Sequence, residues 1–261
     1  MGKTAFGWDN YVTDATVTAD ATAATGLDPS QVQNDQGAAQ YAWQTTAGDL
    51  SAVLTITPPN PKQSWRAAGL FRTNLTTAAT VLFQYYTNAG TLVTSESVGG
   101  PAAGYQQVLS VLSAAVTADY LKITITDTNN PDNCLNIPLV YAGPLWLPTY
   151  GRSANSSFGR EHRTDQQITL GGQRHNTARW QHRFVGLAFD ALSATDELWQ
   201  YAMELDAQAR LGGNVLAIPV VDGSLRTYEA VFGEMQTSDQ MTFGLKTADR
   251  VAWSARITER L

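Results

Sequence analysis

The side chains best suited to chemistry are few. The chain has three histidines, His162, His175 and His182, and one cysteine, Cys134. The histidines do not fall at the spacing of zinc ligands, and a single cysteine cannot build a thiolate cluster. Serines precede His162, but there is no G-x-S-x-G elbow and no ordered acid to orient a base. The histidines and the cysteine therefore predict no metal site, and the sequence predicts no cofactor and no catalytic triad.

Two further kinds of chemistry need separate treatment. The glycine pairs at 171–172 and 212–213 do not stand between a strand and the start of a helix, so they are turn glycines and no phosphate-binding motif. Paired carboxylates for glycoside hydrolysis need only spatial proximity, and that alternative stays open. Few acids lie at predicted strand ends, and we expect the protein not to be an enzyme.

An oxygen-rich turn occupies residues 127–133. It offers Asp127, Asn129, Asn130 and Asp132, the ligand types that Ca²⁺ prefers. The same residue types also stabilise turns by hydrogen bonding to their own backbone, and we favour that explanation. The sequence leaves open whether the turn binds calcium.

Aromatic side chains are frequent in the first half and could provide a surface on which sugar rings stack. We name three of them as possible glycan contacts: Trp43, Trp65 and Tyr86. Aromatic residues more often fill a core, which is the competing interpretation.

These residues need strands to position them. Residues 119–126 alternate Tyr120, Lys122 and Thr124 with Leu121 and Ile123, the pattern of a half-buried strand. Similar strands are predicted at 52–57, 67–71, 80–86, 91–94 and 135–141, and no convincing helix precedes residue 145. The first half, 1–145, is therefore predicted to be an antiparallel β-sandwich of jelly-roll type.

The second half mixes strand and helix signals. A strand at 183–189 precedes a helix predicted over 193–210, with Ser193 as N-cap and Glu197 on its solvent-exposed face. Strands follow at 215–221, 226–235, 241–246 and 250–258. Residues 179–261 are therefore predicted to form an α+β domain with one main helix, and the fold class is mainly β.

Residues 146–178 separate the two predicted domains and are locally basic. Two interpretations stay open: a solvated linker, or an arm or long hairpin that docks on a neighbouring subunit. We name Arg160, Arg163, Arg174 and Arg179 as candidate subunit-interface residues.

Composition limits the possible partners. The formal net charge is −6, which argues against a dedicated nucleic-acid binder, because such a protein needs a basic face. We also expect no membrane span and no secretion signal, since no apolar segment has the required length.

Three stretches of the chain carry a resemblance: WRAAGLFRTNLTTAATVLFQYY, ITDTNNPDNCLNIPLVYAGPLWLPTYG and RWQHRFVGLAFDALSATDELWQYAMELDAQARLGGNVLAIPVV. Together they resemble tail-tip and distal tail proteins of long-tailed bacteriophages, with a galactose-binding-like, discoidin-like first domain. The resemblance implies a virion protein made in the host cytoplasm. It would form a homo-oligomeric ring or hub with the tail tube, hub and tape-measure proteins.

The usual order of such proteins, ring domain first, is reversed here. Our leading interpretation is a structural tail component. The alternative is a carbohydrate-binding module that recognises a host surface glycan.

Overall fold

A computed structural model describes residues 3–168, 173–222, 226–236, 244–247 and 249–260. The chain forms two compact units. The sandwich unit comprises Ala5–Leu147 and Val220–Tyr228, and the hairpin unit comprises Met1–Thr4, Pro148–Pro219 and Glu229–Leu261. These boundaries differ from the predicted 1–145, 146–178 and 179–261. Within the predicted middle segment, Ser157–Ile168 form a strand that pairs with the strand Arg174–Ser193 in a long hairpin.

Short antiparallel strands build the sandwich unit. They are β1 (Ala5–Gly7), β2 (Thr16–Ala19), β3 (Trp43–Gln44), β4 (Ser51–Thr57), β5 (Gln63–Phe71), β6 (Thr80–Tyr86), β7 (Leu92–Gly99), β8 (Gln107–Ala118), β9 (Tyr120–Thr126), β10 (Asn136–Ile137) and β11 (Leu139–Gly143). A five-stranded sheet has the order β2-β4-β9-β6-β7, a three-stranded sheet has the order β11-β5-β8, and β10 pairs with β3. The antiparallel β-sandwich predicted for the first half is confirmed.

The core of this unit lies between the two sheets. In β4, β6 and β9 every second residue is buried, so Leu54, Phe83 and Ile123 point inward from the five-stranded sheet. They belong to the same buried cluster as Trp65 and Leu70 of the three-stranded sheet. Period-two alternation thus fixes which face of each strand is buried and which one meets solvent.

The hairpin unit is named after its two longest strands. Its strands are β12 (Ser157–Ile168), β13 (Arg174–Ser193), β14 (Asn214–Ile218), β15 (Val231–Gln236), β16 (Gly244–Thr247) and β17 (Arg250–Glu259). Their spatial order is β14-β15-β17-β13-β12, with β16 beside β17. β12 and β13 form an antiparallel hairpin with an irregularity between Arg163 and Thr164.

One main helical segment accompanies this sheet, as the sequence predicts. It begins as a π-helix, Ala194–Ala202, and continues as α1 (Met203–Arg210), with Leu205 and Ala209 buried. Glu197 is an exception to the prediction. It is buried. Its carboxylate accepts hydrogen bonds from the backbone N–H groups of Ser193 at 3.0 Å and Thr149 at 2.5 Å, which compensate for the loss of solvent.

The strand predicted over 226–235 is only partly correct. Its first residues form a short helix, α2 (Arg226–Glu229), and the strand β15 starts after it. The boundary between the two units falls in the same segment, between Tyr228 and Glu229. No helix among the described residues is long and apolar enough to cross a membrane.

Candidate functional site

Two of the three predicted glycan contacts lie inside the sandwich. Trp43 and Trp65 are both 0% exposed, and the Trp65 indole N–H donates a 2.9 Å hydrogen bond to the Ala118 carbonyl. Its ring packs against Tyr11 and Tyr85, with centroid distances of 5.2 and 5.8 Å. A glycan cannot reach either tryptophan, so both are corrected from candidate contacts to core residues.

Tyr86, the third candidate, is half-buried on the outer face of the five-stranded sheet. It lies directly opposite Tyr120 of β9, and the two rings stack with centroids 5.2 Å apart and planes 10° apart. Lys122 places its ammonium 5.5 Å from the Tyr86 centroid and 5.9 Å from the Tyr120 centroid. The result is a fixed aromatic pair with a cation beside it.

A row of polar side chains crosses the sheet next to this pair. The strand register aligns Thr55 with Lys122, Lys122 with Gln84, and Gln84 with Ser95. The burial pattern places all of them on the outer face, half-buried or exposed. We call Tyr86, Tyr120 and this four-residue row the tyrosine face. It combines apolar ring surface with hydroxyl, amide and ammonium groups.

A cleft opens on the sandwich unit at the edge where β7 meets β8, next to the Ser95 end of the tyrosine face. Its volume is about 470 Å³, and its lining includes Arg66, Glu96 and Asp222. Ser110 donates a 2.6 Å hydrogen bond to the Glu96 carboxylate and fixes its position. We call this site the edge cleft. It was not predicted from the sequence, because its residues are far apart in the chain.

Side chains of the turn at 127–133 are engaged in hydrogen bonds with the protein. The Asp127 carboxylate is 1% exposed and accepts 2.7 Å hydrogen bonds from both the backbone N–H and the hydroxyl of Thr76. The Asn130 side-chain amide donates to the same carboxylate and to the Asn74 carbonyl. Among the described residues no group of three or more His, Cys, Asp and Glu side chains could hold a metal ion. Within the turn, the Asp132 backbone N–H donates a 3.0 Å hydrogen bond to the Asn130 side-chain oxygen, whereas the contacts of Asp127 and Asn130 described above tie the turn to the segment 74–76.

No protein-family model matches this chain, and no curated protein matches it. Several solved structures are similar to it. A fucose-binding module of Streptococcus pneumoniae is 15% identical and covers 52% of this chain and 96% of its own, with a TM-score of 0.42. The lectin domain of lectinolysin, solved in complex with Lewis B antigen, is 12% identical and covers 51% and 95%, with a TM-score of 0.42. Chitosan-binding module 1 of a chitosanase/glucanase from Paenibacillus sp. IK-5 is 17% identical and covers 52% and 98%, with a TM-score of 0.42. The predicted role in a phage tail is not tested by these comparisons and stays a prediction.

The candidate interface arginines belong to the β12–β13 hairpin. Arg160, Arg163 and Arg174 are exposed, and Arg163 lies 3.7 Å from the Asp165 carboxylate. The side chain of Arg179 lies outside the described residues.

The neighbouring Glu161 accepts a 3.1 Å hydrogen bond from His182 and contacts the Arg256 guanidinium. The His182 hydrogen bond and the Arg256 charge lower the pKa of Glu161. This group of three side chains links β12, β13 and β17 of the sheet.

The sequence already contained a signal for part of the tyrosine face. The alternation in β9 places Tyr120 and Lys122 on the wet side, so both could have been named beside Tyr86. The pairing of Tyr86 with Tyr120 required the register between β6 and β9, which the sequence does not give. The edge cleft had no signal in the sequence.

Proposed function

We propose that the sandwich unit binds carbohydrate on the tyrosine face, without a chemical reaction. The observation that carries this proposal is the stacked pair Tyr86–Tyr120 on the solvent side of a sheet whose neighbouring row is polar. Other large rings of this unit, such as Trp43, Trp65 and Phe83, are fully buried. Ring surface that faces solvent beside hydrogen-bonding groups is typical of a binding site.

Sugar chemistry fits both parts of this face. A pyranose has an apolar side made of C–H groups, which packs on an aromatic ring, and hydroxyl groups around its edge. Gln84 can donate and accept hydrogen bonds, Thr55 and Ser95 carry hydroxyls, and Lys122 donates. Because every one of these side chains stands on a paired strand, the face is already organised before a ligand arrives.

The direct test is an array of bacterial and animal surface glycans probed with the full chain. Calorimetry with the best-bound oligosaccharide then gives the affinity. We expect Tyr120→Ala and Tyr86→Ala each to weaken binding about tenfold or more, as truncation of an aromatic anchor does. Tyr41→Ala is the matched control. Tyr41 is 47% exposed and stands outside the five-stranded sheet, so this variant should bind like the original chain.

Two results would contradict the proposal. One is an array without any bound glycan. The other is a bound glycan whose affinity does not change in Tyr86→Ala and Tyr120→Ala while both variants stay folded.

A second candidate function is a structural component of a bacteriophage tail, such as a distal ring or hub protein. The observation that favours it is the outer edge of the hairpin unit. Within the described residues β12 pairs only with β13, so a 12-residue strand offers unpaired backbone groups to another chain. Phe158 on this strand is 57% exposed, and Trp199 of the π-helix is 64% exposed.

This candidate predicts self-association through β12. Light scattering and electron imaging of the purified full chain should show a closed oligomer. Arg163→Glu should weaken it, whereas Lys62→Glu, the same charge change on an exposed residue of the sandwich unit, should not. A monomer at all concentrations would remove this candidate and leave the glycan proposal untouched.

A further inference from the structure

The edge cleft lies where the two sheets of the sandwich unit meet at one edge. Thr94, Ser95 and Glu96 of β7 form one wall, Val111–Ser113 of β8 form another, and Val221–Asp222 close the side. Its volume of about 470 Å³ lies in the range of small-molecule sites in proteins.

An irregularity in strand pairing directs Arg66 to this cleft. Trp65 pairs with Val116 and Ala67 pairs with Val111, so residues 112–115 of β8 have only Arg66 opposite them. Such a bulge bends the strand and redirects a side chain, and bulges are common beside binding sites. In the described structure the Nε atom of Arg66 is buried and has no hydrogen-bond partner. A buried donor without a partner is costly, so a hydrogen bond that reorients the Arg66 guanidinium loses no existing partner at this atom.

The cleft has a polar rim and an apolar floor. Arg66 is a hydrogen-bond donor, while the carboxylates of Glu96 and Asp222 are acceptors. Leu112 and Val221 are largely buried apolar residues of the lining, at 8% and 4% exposure. One cation against two carboxylates gives the lining a net negative charge, which disfavours an anionic ligand.

We propose that the edge cleft binds one pyranose ring of a neutral glycan. Arg66 donates to one ring oxygen, Glu96 and Asp222 accept from neighbouring hydroxyls, and the C–H face packs on Leu112 and Val221. Charge-assisted hydrogen bonds of this kind are the stronger ones in proteins. The ligand class rests on the proposed carbohydrate-binding function. The two sites share Ser95 of β7, whereas Arg66, Glu96 and Asp222 belong to the edge cleft alone.

The test uses the full chain with methyl glycosides of galactose, glucose and mannose, and with glucuronic acid as an anionic comparison. Saturation-transfer NMR detects binding, and calorimetry measures affinity. Arg66→Met, which keeps the length of the side chain, should weaken binding of the neutral glycoside about tenfold or more. Asp222→Asn should weaken it about threefold or more. Because Asp222 is exposed, this variant should leave folding intact.

A charge-reversal experiment separates ligand contact from a general structural effect. Glu96→Gln combined with Asp222→Asn leaves Arg66 as the only charged group of these three, so glucuronic acid should gain affinity relative to the neutral glycosides. A purely structural role of these residues would not shift that preference.

The outcomes distinguish this inference from the proposed function. The inference is overturned if no glycoside binds at millimolar concentration, or if Arg66→Met and Asp222→Asn leave the affinity unchanged. It is supported if they weaken glycoside binding and Tyr120→Ala does not. Loss of array binding in Tyr120→Ala together with unchanged binding in Arg66→Met would keep the tyrosine face and reject the cleft.

Discussion

Replacing Trp65 by Phe separates a core role from a binding role. Trp65 is 0% exposed, and its indole donates a 2.9 Å hydrogen bond to Ala118. Phe keeps one ring but removes the donor and leaves a small cavity beside Tyr11 and Tyr85. Each loss costs about 1–2 kcal/mol, so the free energy of unfolding should fall by about 2–4 kcal/mol. For a unit of this size the melting temperature should drop by roughly 4–16 °C.

Two assays follow this variant. Calorimetry or circular dichroism gives the melting temperature, and titration at a temperature where the variant is folded gives its affinity for the glycan found on the array. We expect lower stability with unchanged affinity. Tyr120→Ala should give the opposite result, with little loss of stability and a large loss of affinity. Loss of its cross-strand pair should cost about 1 kcal/mol or less of stability but much of the affinity.

Unchanged stability in Trp65→Phe would show that the ring is not part of the core. Weaker glycan binding at unchanged stability would return Trp65 to the binding surface and refute the reasoning.

Three further predictions concern stability. Burial raises the pKa of Tyr11 to about 12 and that of Tyr141 well above its ordinary value of 10. The folded state therefore favours the neutral form of both tyrosines. Their contribution to the free energy of unfolding is complete below pH 10, the pKa in the unfolded chain, and is lost as the pH rises through the folded pKa values. Tyrosinate absorbance should rise together with unfolding. Asp127→Ala removes the acceptor of the Thr76 backbone N–H, so the free energy of unfolding in a denaturant titration should fall by about 2–3 kcal/mol. Adding calcium or a chelator should not change the melting temperature of the original chain. Glu197→Ala leaves two backbone N–H groups without their acceptor, so the free energy of unfolding should fall by about 2–4 kcal/mol in the same titration. The control is Glu204→Ala, at an exposed position of the same helical segment, which should lower it by less than about 0.5 kcal/mol.

The two proposed sites differ in how they would select a ligand. The tyrosine face is open and lies across several strands, so it suits an extended oligosaccharide. The edge cleft is smaller and charged, so it suits a single ring with defined hydroxyl positions. Together they would let one unit bind a glycan at two positions. The combined affinity could then exceed that of either site alone.

The alternation of apolar and polar residues predicted the sandwich strands correctly where every second residue is buried. In β4, β6 and β9 the apolar residues recur at every second position, and the structure places each of these strands in the five-stranded sheet. β8 was not predicted. Its first six residues are all buried and the next three are exposed, so it has no period-two signal. The exposed stretch coincides with the bulge at Arg66, which only the pairing with β5 defines.

The sequence by itself determined the mainly β class, the antiparallel sandwich in the first half and the single main helix in the second. These features follow from residue periodicity, which acts locally along each strand or helix. The tertiary structure decided which aromatic residues meet solvent. Trp43, Trp65 and Tyr86 are all aromatic residues of the first half. Sheet packing buries the two tryptophans, whereas Tyr86 lies on the outer face beside Tyr120. It also brought Arg66, Glu96 and Asp222 into one cleft, because long-range strand pairing sets distances that no local pattern encodes.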